Sequence, residues 1–151
     1  MNDDKLFVSR LIRAKRDAVY AAWTDPEIMR RWFCPRDLQL VSAEADVRVG
    51  GRFLAVMSNG SQTHTVHGTY REVVPGRRLV FSHQWQEQDA VSTLVTVEFA
   101  DRDGGTLVSL THEGFRNQES ARGHDVGWQS TFDSLLRYLG GTSVAALGDV
   151  R

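Results

Sequence analysis

Three features of this 151-residue chain predict an α+β fold, a curved antiparallel sheet of six or seven strands covered by one long C-terminal helix. Residues 38–112 alternate apolar and polar side chains between turn signals, the pattern of an antiparallel meander. The stretch GWQSTFDSLLRYLGG at 127–141 carries a single apolar stripe at helical spacing. Between the first strand and the meander, a helical pattern is broken at Asp25-Pro26.

The elements follow in order. Residues 6–13, LFVSRLIR, read as a strand. In RDAVYAAWTDPEIMRRWF, Val19, Ala22 and Trp23 share a helical face, Asp25 suits an N-cap and Pro26 the first helical position, so two short helices are expected over 16–24 and 26–32. VGG at 49–51, NGS at 59–61, VPG at 74–76 and RDGG at 102–105 divide the meander, with Asn59-Gly60 supplying the positive φ angles of a hairpin. A sheet of this size must have one face covered. Trp128, Phe132, Leu135, Leu136 and Leu139 form the covering stripe of a helix expected from about Glu119 to Gly140. Residues 1–141 read as one domain, and 142–151, without a clear period, as a tail.

Alternation assigns faces. Leu79, Phe81, His83 and Trp85 point toward the helix in LVFSHQW, as do Val91, Val95, Val97 and Phe99 in the next strand. Val108, Leu110 and His112 join them, with Phe53, Ala55 and Met57 from the first hairpin. Two imidazoles therefore meet the covered face, either as packed core residues or, with Trp85 and Thr93, as hydrogen-bonding groups for the polar end of an apolar guest. His124, at the start of the last helix, is expected to be exposed. Gly123 and Gly127, with Ser130, Thr131 and Ser134, form a strip of small residues beside the stripe, which either packs closely on a strand or leaves room for a guest.

Composition excludes other classes. Lys and Arg number 18 against 19 acidic residues, a formal net charge of -1, so no overall positive field favours nucleic acid or anionic membrane. The small clusters at Arg30, Arg31 and Arg36 and at Arg77 and Arg78 are read as solvated faces without a partner. No apolar run reaches the ~20 residues of a membrane span. Cys34 is the sole cysteine and no signal-peptide pattern opens the chain, so a cytoplasmic location is expected. His64 and His67 would point to opposite faces of a strand, and no metal site is expected. Phosphate-loop, dinucleotide, zinc-protease and nucleophile-elbow motifs are lacking, so no cofactor is expected and catalytic residues remain unassigned. Asp46, Glu72 and Glu98 are expected to face solvent.

Four stretches, TDPEIMRRWFCP at 24–35, GTYREVVPGRRLVFSHQW at 68–85, GGTLVSLTHEGF at 104–115 and GWQSTFDSLLRYL at 127–139, resemble the bacterial single-domain relatives of the C-terminal domain of the activator of the 90-kDa heat-shock protein ATPase. That family lies in the START-like superfamily, also called SRPBCC or polyketide-cyclase-like. The resemblance spans about residues 6–140 and implies a helix-grip fold, with a cavity for lipids, polyketides or other apolar molecules between helix and sheet. Some branches catalyse cyclisation or hydrolysis there, but this branch has no universal catalytic residue. Where the family often has two adjacent tryptophans, this chain has Trp32 and Phe33. Eukaryotic activators share chaperone engagement with a further N-terminal domain, for which this chain has no room, so chaperone contact is doubtful.

The expected function is binding of a small, mainly apolar molecule, lipid-like or aromatic. Its expected lining is Trp32, Phe53, Met57, Phe81, His83, Trp85, Val95, Val97, Leu110, His112, Trp128, Phe132 and Leu136. One alternative is a cyclase- or hydrolase-type enzyme with His83 or His112 as acid or base and Tyr70 or Thr93 as an orienting hydroxyl. Another is a protein-interaction module of co-chaperone type, and a homodimer is compatible with the chain's size.

Overall fold

A computed structural model describes residues 5–87 and 90–143. The order is β1 (Lys5–Ile12), α1 (Arg16–Thr24), α2 (Pro26–Met29), β2 (Gln39–Ala45), β3 (Arg52–Ser58), β4 (Thr63–Val74), β5 (Arg78–Trp85), β6 (Thr93–Arg102), β7 (Gly105–Glu113), α3 (Gln118–Leu139) and β8 (Gly141–Ser143). The strands form one antiparallel sheet in the order β2-β3-β4-β5-β6-β7-β1-β8. It is the predicted α+β helix-grip fold: a curled sheet, a long C-terminal helix and short helices after the first strand.

Local chemistry explains the element ends. Asp25 closes α1 and caps α2, its carboxylate accepting from Glu27 N at 3.0 Å, with Pro26 at the first helical position. The second helix is shorter than the predicted 26–32, ending at Met29 and giving way to turns. Trp32 and Phe33 then fold back onto the core, the Trp32 indole donating to Ala22 O at 2.9 Å. Asn117 caps α3 by accepting from Ser120 N at 2.8 Å, and Gly140, at φ 85°, ends it.

The Asn59-Gly60 turn works differently from the prediction. Only Gly60 has positive φ (98°), while the Asn59 carboxamide oxygen accepts from Ser61 N at 2.9 Å and Gln62 N at 2.8 Å. A side-chain cap, and not a second left-handed residue, reverses the chain. Gly68 on β4 is required by contact: a Cβ there would overlap the Ser82 carbonyl oxygen on β5. The register of that pair shifts between Tyr70 and Glu72, a bulge that adds to the curl.

Alternation placed most inward residues correctly. Leu79, Phe81, Val95, Val97, Phe99, Val108, Leu110, Phe53 and Ala55 are all buried. Val91 is a correction at 39% exposed, because it precedes β6 and lacks strand pairing to fix its direction. The predicted tail contributes β8, whose Gly141 and Thr142 lie opposite Ile12 and Leu11; residues 144–151 lie outside the described part. Asp46, Glu72 and Glu98 are exposed, the last two paired with Arg78. Among the described residues, no helix is long and apolar enough to cross a membrane.

Candidate functional site

The space between sheet and α3 is solid at one end and hollow at the other. At the solid end, Trp23 lies edge-on to Trp32 and Phe33, with ring centroids 4.8 and 5.8 Å away, and Phe53 packs on Phe81 at 4.8 Å. Phe132 and Leu135 of α3 close this core with no exposed surface. At the hollow end is a cleft of about 490 Å³, walled by Met57, His64, His83 and Trp85 from the sheet, Phe33, Pro35 and Leu38 from the segment after α2, and Gly123, His124, Gly127, Trp128 and Thr131 from α3.

Of the thirteen residues expected to line a cavity, Met57, His83, Trp85 and Trp128 do so. Trp32, Phe53, Phe81, Val95, Val97, Leu110 and Phe132 instead fill the solid core, Trp32 also bordering a separate cleft beyond α2, and Leu136 packs against the core. His112 lies behind the wall, fully buried and bonded to Trp128. The apolar positions share a face, but curvature and α3 bring rings into contact along most of it and part only where α3 carries glycine.

Gly123 and Gly127 decide between the two readings of the small strip. A Cβ at either position would meet nothing within 4 Å, so the two glycines border open space and are not points of close helix–strand contact. Each glycine lowers helix stability by about 1 kcal/mol relative to Ala.

Three imidazoles cluster beside the cleft. The His83 and His112 ring centroids are 4.7 Å apart, and His124 lies 5.3 Å from His112 and 6.0 Å from His83. His124 corrects the expectation of exposure: it is half-buried, and Trp85 Nε1 donates to its Nε2 at 2.9 Å. The sequence did carry a signal, since position 124 lies one helical turn before Trp128 on the same stripe.

Indole nitrogen only donates, which fixes two tautomers. His124 Nε2 accepts from Trp85, so its Nδ1 carries the proton and donates to Ser120 O at 2.8 Å. His112 Nδ1 accepts from Trp128 Nε1 at 3.0 Å, so its Nε2 donates to Thr93 Oγ1 at 2.7 Å. The Thr93 hydroxyl in turn donates to His83 O at 2.8 Å. Both rings and the hydroxyl are saturated.

His83 differs. It is 4% exposed, it lines the cleft, and its Nδ1 is buried without a hydrogen-bond partner among the described residues. Burial, reinforced by His124 and His67, pushes its pKa down to about 3, so the ring is neutral near pH 7. His112 is likewise held well below the usual histidine range, chiefly by burial and then by the neighbouring imidazoles. Burial also raises the Tyr70 phenol, which sits in the solid core between Phe53 and Phe81 and away from the cleft. Among the described residues, no group of three acidic, histidine or cysteine side chains is arranged to hold a metal.

A second cleft of about 420 Å³ adjoins the first, bounded by Phe115, Asn117, Val91 and Thr93. His83, Trp85, Glu87, Ser120 and His124 line both clefts. The Trp85–His124 bond therefore stands as a partition from sheet to helix.

Comparison with known proteins agrees with this architecture. A protein of Chromobacterium violaceum superposes with a TM-score of 0.84 at 24% identity, covering 92% of this chain and 99% of the other. A protein of Silicibacter pomeroyi called AHSA1 gives 0.80 at 23% identity, covering 89% and 96%. The AHSA1-like protein of Aeromonas hydrophila gives 0.75 at 28% identity, covering 97% of each chain. No curated protein matches the chain. Residues 13–140 match the family described as Activator of Hsp90 ATPase homolog 1-like protein. With that match spanning most of its length and the helix-grip fold beneath it, the chain belongs to the Activator of Hsp90 ATPase homolog 1-like family, within the START-like superfamily.

Proposed function

We propose that this protein binds a small, mainly apolar molecule in the cleft between β5 and α3, with His83 meeting the guest's polar end. The observation that carries the reading is the coincidence of open space over Gly123 and Gly127 with the His83 side chain in the same wall of the cleft. Helix glycines lower stability, and a bound molecule in the space beside them gives that cost a purpose. The cleft's size lies within the ordinary range for small-molecule sites, and its wall of Phe33, Met57, Trp85 and Trp128 favours apolar surface.

Binding is favoured over catalysis because the candidate acid–base groups are already engaged. His112 and Thr93 are saturated by each other and by Trp128, Tyr70 lies in the core, and His83 is too weak a base near pH 7 for efficient proton transfer. The interaction-module alternative lacks a focus. The exposed Phe7 and Val41 sit on β1 and β2, far apart in strand order.

Native mass spectrometry of freshly purified protein, compared with its denatured mass, tests the reading. A co-purified small molecule that is lost on denaturation, or on filling the cleft by Gly127→Leu, is the expected result. A guest retained equally by Gly127→Leu contradicts this location.

A further inference from the structure

A third cleft, of about 540 Å³, lies on the other side of the segment joining α2 to β2. Its wall includes Glu27, Arg30, Arg31, Arg36, Gln39 and Ser134. Three guanidinium groups thus face one carboxylate in a chain whose formal net charge is -1. Arg30 comes no nearer to Glu27 than 4.0 Å, and among the described residues Arg31 and Arg36 form no ion pair. The other arginine cluster behaves differently: Arg78 is held by Glu72 at 3.1 Å and Glu98 at 2.6 Å. Among the described residues, two of the three guanidinium groups in this cleft are thus left without an ion-pair partner.

The cleft adjoins the apolar one. Pro35 and Leu38 belong to both walls, so a single layer of side chains separates them. The segment is pinned to α3, because Arg36 N donates to Ser130 Oγ at 2.8 Å. Arg137 adds positive charge nearby through its 3.0 Å bond to Ser134 Oγ. A planar guanidinium matches carboxylate and phosphate oxygens in two-point contacts, which an apolar or neutral guest cannot use.

The geometry points to an amphiphile as the guest: its apolar body lies in the His83 cleft, and a carboxylate or phosphate group reaches over Pro35 and Leu38 to Arg30, Arg31 and Arg36. This inference rests on the binding function proposed above and names the chemical class of what is bound.

The test compares decanol, decanoate and decyl phosphate, each below its micelle concentration, read by the fluorescence of Trp85 and Trp128. Exposed ion pairs are individually weak, so three together should favour the two anions over the alcohol by about tenfold at low salt. In the triple variant Arg30→Gln, Arg31→Gln, Arg36→Gln, that preference should collapse while decanol binding stays unchanged. Raising salt should have the same effect in the native protein. Equal affinity for alcohol and anions, or a preference that survives the triple substitution, overturns the arginine assignment and leaves the apolar cleft standing. Inorganic phosphate that binds at the arginines without competing with decanoate also overturns it, since the two clefts would then serve separate ligands. Failure of all three decyl compounds to bind contradicts the binding function itself.

Discussion

Trp85 on β5 donates its indole N–H to Nε2 of His124 on α3 at 2.9 Å, tying sheet to helix between two clefts. Replacing Trp85 with Phe keeps an aromatic ring but removes the donor. Loss of one such bond should cost about 1 kcal/mol in urea unfolding with an unchanged m-value. With the partition thinned, a large apolar probe should gain affinity relative to a small one. Unaltered size preference in Trp85→Phe would show that the bond does not divide the cavity.

His112 joins Trp128 to Thr93 in a fully buried chain of hydrogen bonds. His112→Phe leaves the Trp128 N–H without an acceptor, and a loss of about 2–4 kcal/mol is expected. Trp128→Phe in that background should cost much less than it does alone, because the stranded donor is gone. A double-mutant cycle by chemical denaturation measures the coupling, and strictly additive losses would contradict it.

Acid should destabilise the fold in a defined window. His83 and His112 stay neutral in the folded protein, His83 down to about pH 3, whereas in the unfolded chain each titrates near 6.5. Below that value the unfolded state takes up protons that the folded state does not. Stability is therefore full above about pH 6.5 and falls as pH drops toward the folded values. Each ring contributes a slope of up to about 1.4 kcal/mol per pH unit. Urea unfolding across this range should show the decline, and His83→Gln should make it shallower. An identical slope in that variant contradicts a neutral buried His83.

Gly123→Ala and Gly127→Ala should each raise stability by about 0.5–1 kcal/mol, since the added methyl meets open space and the helix gains propensity. Thermal unfolding of both variants checks the sign. Close packing against a strand would give destabilisation instead.

The fold was legible because it rests on local periodicity. Leu79, Phe81 and His83 alternate inward as their spacing requires, and Asp25-Pro26 starts its helix through side-chain chemistry contained in neighbouring residues. The division between core and cleft was not legible. Phe53 and Met57 sit four apart on one strand with the same facing, yet Phe53 is enclosed in the core while Met57, at the core's edge, also lines the cleft. Their difference comes from what α3 places opposite them, which no strand pattern encodes. His124 was misread because a polar side chain near a helix start suggests solvent, while its partner, Trp85, is 39 residues away in sequence. Val91 was misread because alternation was extended back beyond the start of β6.

The claim of usable room beneath α3 is tested most directly by isothermal titration of the neutral probe N-phenyl-1-naphthylamine into the native protein and into Gly127→Leu. Saturable binding at one site in the native protein, abolished by the leucine while the fold stays intact, is the predicted result. Absence of binding to the native protein, or equal binding to both, would contradict it.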